Sequence, residues 1–160
     1  MHSIELLHKN VEKQLPRVHQ IRLKSLMTVC ESAMLSNQLI LTGLGRGISN
    51  TNKESSNIQK VDRLLGNGIL QAERLNFYKA LISYVIKEGM QYPWIHVDWL
   101  CINSTTNLYA LRASLSMKGR SMVIYEECHP KKNENNHTVH KAFLNQLNTL
   151  LPDPNINRSS

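Results

Sequence analysis

Two hydrophobic periodicities divide the chain. As far as about residue 88, apolar residues recur at helical spacing. Over residues 3–14, Ile4, Leu7, His8, Val11 and Leu15 fall near one face, and Pro16 ends the helix. Residues 18–35 predict a longer helix with a stripe of Ile21, Leu23, Leu26, Met27, Cys30, Ala33 and Met34. Gly43, Gly45 and Gly47 then break the pattern, which predicts a turn or a short distorted helix, since glycine costs about 1 kcal/mol relative to alanine inside a helix. A polar loop over 49–57 leads to a helix from about Asn57 to Leu65, buried through Ile58, Val61, Leu64 and Leu65, with Gly66 at its C-terminal cap. Leu70, Leu75, Tyr78, Leu81, Ile82, Val85 and Ile86 carry a further helix over 70–88, capped by Gly89.

Beyond residue 90 the period changes. Residues 94–102 are apolar on both faces, the pattern of a central strand. Residues 108–117 alternate, with Tyr109, Leu111, Ala113, Leu115 and Met117 on one face. Lys118-Gly119-Arg120 has the length of a hairpin loop, and residues 121–127 predict a third strand with Met122 and Ile124 facing opposite to Val123 and Tyr125. An amphipathic helix over 137–151 follows, on Val139, Phe143, Leu147, Leu150 and Leu151, and Pro152 and Pro154 stop it. The fold class is therefore α+β, with a helical region over 1–90 and a βββα region over 91–160. One helix covers one face of a three-stranded sheet, yet the first strand is built for burial on both. That mismatch predicts an incomplete fold.

Charge changes the picture of the first half. The 160 residues carry a net +7, and residues 1–90 hold 12 Lys/Arg against 7 Asp/Glu. A basic helical half suggests a polyanionic partner, nucleic acid first. The order of helix, glycine-bearing turn, short helix, loop and basic helix resembles a helix-turn-helix DNA reader, with a plain helical bundle as the alternative. Lys53, Lys60 and Arg63 are the candidate DNA contacts, with Arg46 and Arg22 as further candidates. The glycines do not form a phosphate loop, because no Lys-Ser/Thr pair follows them. No apolar run approaches the roughly 18 residues that span a bilayer, and no signal-peptide pattern opens the chain. Three widely spaced cysteines do not read as a disulfide framework, so the expected compartment is the cytoplasm.

The carboxylate of Asp98 inside Pro93-Trp94-Ile95-His96-Val97-Asp98-Trp99 is the candidate for chemistry, since an acid in an apolar run needs a partner or a cation. Glu126 and Glu127 are expected to be solvated or paired with Lys118 or Arg120. Cys128, His129, His137 and His140 are a conceivable zinc set, although adjacent Cys and His are not a usual ligand pair.

Several strings carry a resemblance: Val61-Asp62-Arg63-Leu64-Leu65-Gly66-Asn67, Val97-Asp98-Trp99, Leu111-Arg112-Ala113-Ser114 and Gly119-Arg120-Ser121, with Tyr125-Glu126 close behind. In this order and spacing they resemble the DDE-class insertion-sequence transposases, over roughly residue 4 to Pro154. The resemblance implies a ribonuclease-H-like catalytic domain whose opening is the βββα region, and cut-and-paste transposition of DNA. It also implies binding to terminal inverted repeats, pairing with other transposase subunits on DNA, and two Mg²⁺ ions held by three acids. Asp98 matches the first acid, as catalytic residue and metal ligand; the sequence ends at Ser160, before the other two would come. The expectation is a transposase fragment inactive by itself, or alternatively a stand-alone DNA-binding regulator of transposition. The sequence departs from the family at Leu100, where a small polar residue is usual, and at Gly43 and Gly47, which replace better helix formers.

Overall fold

The computed structural model of the chain describes residues 2–36, 39–86 and 94–152. It divides into two compact units, Met1–Phe77 and Tyr78–Ser160, each taken by itself below. The division falls within one helix. The boundary expected near residue 90, and the cap at Gly89, lie outside the described residues.

The first unit is helical: α1 (His2–Gln14), α2 (Gln20–Ser36), α3 (Leu41–Arg46), α4 (Glu54–Leu65) and the start of α5 (Gly68–Val85). Val11, Val18, Leu23 and Met27 form a core, with Leu7, Leu15, Leu26 and Phe77 packed against it. Two positions expected in the stripe of α2 are instead at the surface, Ile21 at 72% and Met34 at 63% exposure. Ser32 is buried with Leu23 and Met27, and its Oγ donates to the Leu44 carbonyl at 2.6 Å. That carbonyl belongs to the last turn of α3, where the helix offers it no N–H of its own.

The glycines of α3 are explained by this approach. A Cβ on Gly45 would stand 2.4 Å from Ile58 Cγ1 and 2.7 Å from Ile58 Cα, and one on Gly47 would stand 2.3 Å from Ser32 Oγ. These glycines let α3 lie close against α4 on one side and α2 on the other. Of the two expected forms, a turn or a short distorted helix, this stretch takes the helix, six residues long. α4 begins three residues before the expected Asn57, and Gly66 closes it with an N–H donated to the Asp62 carbonyl at 2.9 Å. Asn67 then caps α5, its Oδ1 accepting from the Leu70 N–H at 2.9 Å.

The second unit holds the rest of α5, the strands β1 (Ile95–Asn103), β2 (Leu108–Met117) and β3 (Arg120–Pro130), a 3₁₀ turn and α6 (His137–Leu150). The sheet is antiparallel in the order β1-β2-β3. This corrects the reading of residues 94–102 as a central strand: among the described residues β1 is an edge, and most of its side chains are exposed. β2 is the central strand, and Leu111, Ala113 and Leu115 from its alternating face are buried as expected. Met117 pairs with Arg120, so the β2–β3 hairpin turns through Lys118 and Gly119, with Gly119 at φ 79°.

β3 also departs from strict alternation. The register shifts between Ala113 and Ser114, whose partners are Tyr125 and Val123. Ile124 is the extra residue of a β-bulge, and Ile124 and Tyr125 are both buried. Asn136 caps the start of α6, its side chain accepting the N–H groups of Thr138 and Val139. Its Phe143 stacks on Tyr125 with ring centroids 5.0 Å apart, and Tyr78 meets Tyr125 edge-on at 5.1 Å. Among the described residues, no helix is long and apolar enough to cross a membrane.

Candidate functional site

The first unit carries a groove of about 740 Å³ between α2 and α4. One wall is the solvent side of α2, with His19 just ahead of it, then Ile21, Arg22, Lys24, Ser25 and Thr28; the other is Lys60, Arg63 and Leu64 of α4. Ile48 and Asn50 from the α3–α4 connection, and Asn67 after α4, complete it. Spacing explains the composition. Lys60 and Arg63 are three apart on α4, as are Ile21 and Lys24 on α2, so each pair stacks on one helical face.

The groove thus brings together Lys60, Arg63 and Arg22 from the five candidate cations. It adds Lys24 and His19, which the helical stripe left unnoticed. Ile21, expected in the apolar stripe, is 72% exposed and lines the groove beside Lys24. Lys53 caps the start of α4 without lining the groove, and Arg46 donates from Nε to Glu54 Oε1 at 2.7 Å. Both partners of that pair are over half exposed, so it contributes little to stability.

Arg22 differs from the other groove cations. Its Nε donates to Glu73 Oε2 at 2.9 Å and its Nη2 to Glu73 Oε1 at 2.6 Å, a fork held by two parallel bonds. The pair is largely shielded, with side-chain exposures of 16% and 18%. The loop ahead of α4 is fixed by a reciprocal amide pair. Asn50 Nδ2 donates to Asn57 Oδ1 at 3.1 Å, and Asn57 Nδ2 to Asn50 Oδ1 at 3.0 Å. Asn57 is buried at 3% exposure, not projecting outward as its place beside Lys60 suggested.

In the second unit, Asp98 is exposed on β1. Ser116 donates its N–H to the Trp94 carbonyl at 2.9 Å. By the alternation of an antiparallel ladder, the N–H of Trp99 then points to the open side of the strand. Asp98 Oδ1 accepts that N–H at 2.7 Å. Asp98 stands opposite Arg112, and Arg112 opposite Glu126, so the three lie in one row on one face. Arg112 Nη2 pairs with Glu126 Oε2 at 2.8 Å. Glu126 is therefore held by Arg112, not by Lys118 or Arg120.

The opposite face carries a second polar chain. Trp99 Nε1 donates to His140 Nε2 at 2.8 Å, and the Trp99 ring lies 5.7 Å from the rings of both His129 and His140. His129 Nε2 lies 3.1 Å from Glu127 Oε2, and Tyr125 donates its hydroxyl to Glu127 Oε1. Two histidines of the conceivable zinc set, His129 and His140, are thus engaged with Glu127 and Trp99. Among the described residues, no three His, Cys, Asp or Glu side chains are grouped to hold a metal ion. The three cysteines are free thiols; Cys101 and Cys128 are exposed, and burial pushes the Cys30 thiol up.

No family model matches the chain, and no curated protein or solved structure matches it.

Proposed function

We propose that this chain binds DNA in cut-and-paste transposition, with the α2–α4 groove of the first unit meeting the nucleic-acid backbone. The observation that carries the reading is the convergence of Lys24, Lys60, Arg63 and His19 on one groove in a chain of net charge +7. The partner is duplex DNA at transposon ends, and other transposase subunits would join the chain there. The three antiparallel strands followed by a helix, with Asp98 on the first strand, support a ribonuclease-H-like opening of the second unit.

The magnesium chemistry of that family is a separate matter. Magnesium retains several waters and needs carboxylates to hold it beside phosphate. Asp98 supplies one. The next acid in its row, Glu126, lies beyond the Arg112 guanidinium and is paired with it. The described residues do not assemble the donor set that two ions need, so no metal-dependent step is assigned to them. The second reading beside the first is a DNA-binding regulator that occupies transposon ends without cutting them.

The test is a gel shift of the full chain on duplex DNA from the flanks of its own reading frame, with a scrambled duplex as control. Binding is expected, and Lys60→Ala with Arg63→Ala together should abolish most of it. Binding unaffected by that pair refutes the groove. Incubation with Mg²⁺ separates the two readings: Asp98-dependent cleavage identifies the nuclease, and binding without cleavage identifies the regulator.

A further inference from the structure

The groove holds one cation that the protein has already neutralised. Arg22 lines it, yet one bidentate edge of its guanidinium, Nε with Nη2, is taken up by Glu73, which also offsets its charge. A carboxylate and a phosphate present the same bidentate oxygen geometry to arginine, so the two compete for the same donors. Glu73 does not line the groove. It lies on a separate recess with Gln14, Leu15, Pro16, Arg17, Val18 and Asn76, and so holds Arg22 from a different side.

We propose that Glu73 acts as an internal phosphate mimic, which holds Arg22 out of backbone binding and so sets how many phosphates the groove engages. This rests on the reading of the groove as a nucleic-acid site. Among the described residues no acid pairs with Lys24, Lys60 or Arg63 of the groove, and these cations provide the binding of the intact protein. Arg22 is a cation in reserve. Its pairing keeps non-specific affinity below what the groove's cations could reach, because each phosphate contact releases counterions whatever the base sequence.

The salt dependence of binding counts such contacts. Each contact to duplex phosphate steepens the plot of log K against log salt concentration by about 0.9. The experiment measures fluorescence anisotropy of the full chain on a labelled duplex from 50 to 300 mM KCl. Four proteins are compared: wild type, Glu73→Gln, Arg22→Gln and the double variant. Glu73→Gln is expected to bind more tightly, with a slope steeper by about 0.9. Arg22→Gln should leave the slope at the wild-type value, and the double variant should return to it.

A purely structural ion pair gives a different pattern. Both single variants would then weaken binding in step with lost helicity, and neither would steepen the slope. If Glu73→Gln fails to fold, Arg22→Gln still decides: a slope shallower by about 0.9 means Arg22 already touches phosphate, and overturns the proposal. Failure of the underlying reading is distinct, because wild type and every variant would then show no salt-dependent binding.

Discussion

Replacing Gly45 with alanine sets two effects of known sign against each other. Gly45 lies inside α3, where alanine is favoured over glycine by about 0.8–1.0 kcal/mol. Against that gain, the new methyl group would stand 2.4 Å from Ile58 Cγ1, 2.7 Å from Ile58 Cα and 2.8 Å from Ile58 N. A rotamer change could withdraw the first atom. The other two are backbone atoms of α4, which yield only if α3 and α4 separate. Overpacking of this kind costs about 1–3 kcal/mol, and contact with backbone puts the cost at the upper end. The expected net effect is a loss of about 1–2 kcal/mol. Urea unfolding followed by circular dichroism at 222 nm measures it. With a slope of about 1–3 kcal/mol per molar urea, the midpoint falls by roughly 0.3–2 M. Gly68→Ala is the control, since nothing lies within 4 Å of its added Cβ, and its midpoint should hold or rise. A Gly45→Ala protein as stable as wild type would refute the close packing of α3 on α4.

Three further outcomes follow from contacts of single side chains. Ser32→Ala strips the buried Leu44 carbonyl of its donor and should cost about 1–3 kcal/mol in the same urea assay; combined with Gly47→Ala it should cost less than the two separate losses, because the hydroxyl that the new Cβ would strike is gone. The Trp99 indole only donates, so its bond to His140 requires an unprotonated Nε2. Removing the acceptor by His140→Phe should therefore speed exchange of the Trp99 indole proton, with Trp94, 80% exposed, as internal reference. His140→Gln, which keeps an acceptor, should leave exchange near the wild-type rate; an indole proton that exchanges no faster in the Phe variant would contradict the bond. The raised thiol of Cys30 holds less of the reactive thiolate, so iodoacetamide at pH 8 should label Cys101 and Cys128 first, with Cys30 lagging. Equal rates by mass spectrometry would show Cys30 to be as accessible as the other two.

Where one periodic pattern decides an element, the sequence was sufficient. The helices around Val11, Leu23, Val61 and Phe143, the alternation of Leu111, Ala113 and Leu115, and the strand-strand-strand-helix order all follow from spacing. Positions decided by a partner distant in sequence were not legible. Ile21 is exposed although its spacing fits the stripe, and Ser32 is buried where its hydroxyl meets the Leu44 carbonyl of another helix. Gly45 and Gly47 read as weak helix formers until α4 and α2 were seen to occupy the space a side chain would fill. The bulge at Ile124 breaks a period that local sequence could only extend. β1 is apolar enough for the middle of a sheet, yet hydrophobicity does not say whether a neighbour is there, and the Asp98 carboxylate takes up the Trp99 N–H on its open side. For the candidate site, charge singled out Lys60 and Arg63, which line the α2–α4 groove. It could not separate those from Arg22 and Arg46, because Glu73 lies 51 residues from Arg22 and Glu54 8 residues from Arg46.

The central claim is that the α2–α4 groove grips the backbone of DNA. Equilibrium binding of wild type and of the Lys60→Ala, Arg63→Ala protein to one labelled duplex, across a salt series, tests it directly. The account predicts wild-type affinity that falls linearly on the double-logarithmic plot, and a variant that binds more weakly on every duplex, with a slope shallower by about 1.8 for two lost phosphate contacts. Identical affinities and slopes for the two proteins would contradict it.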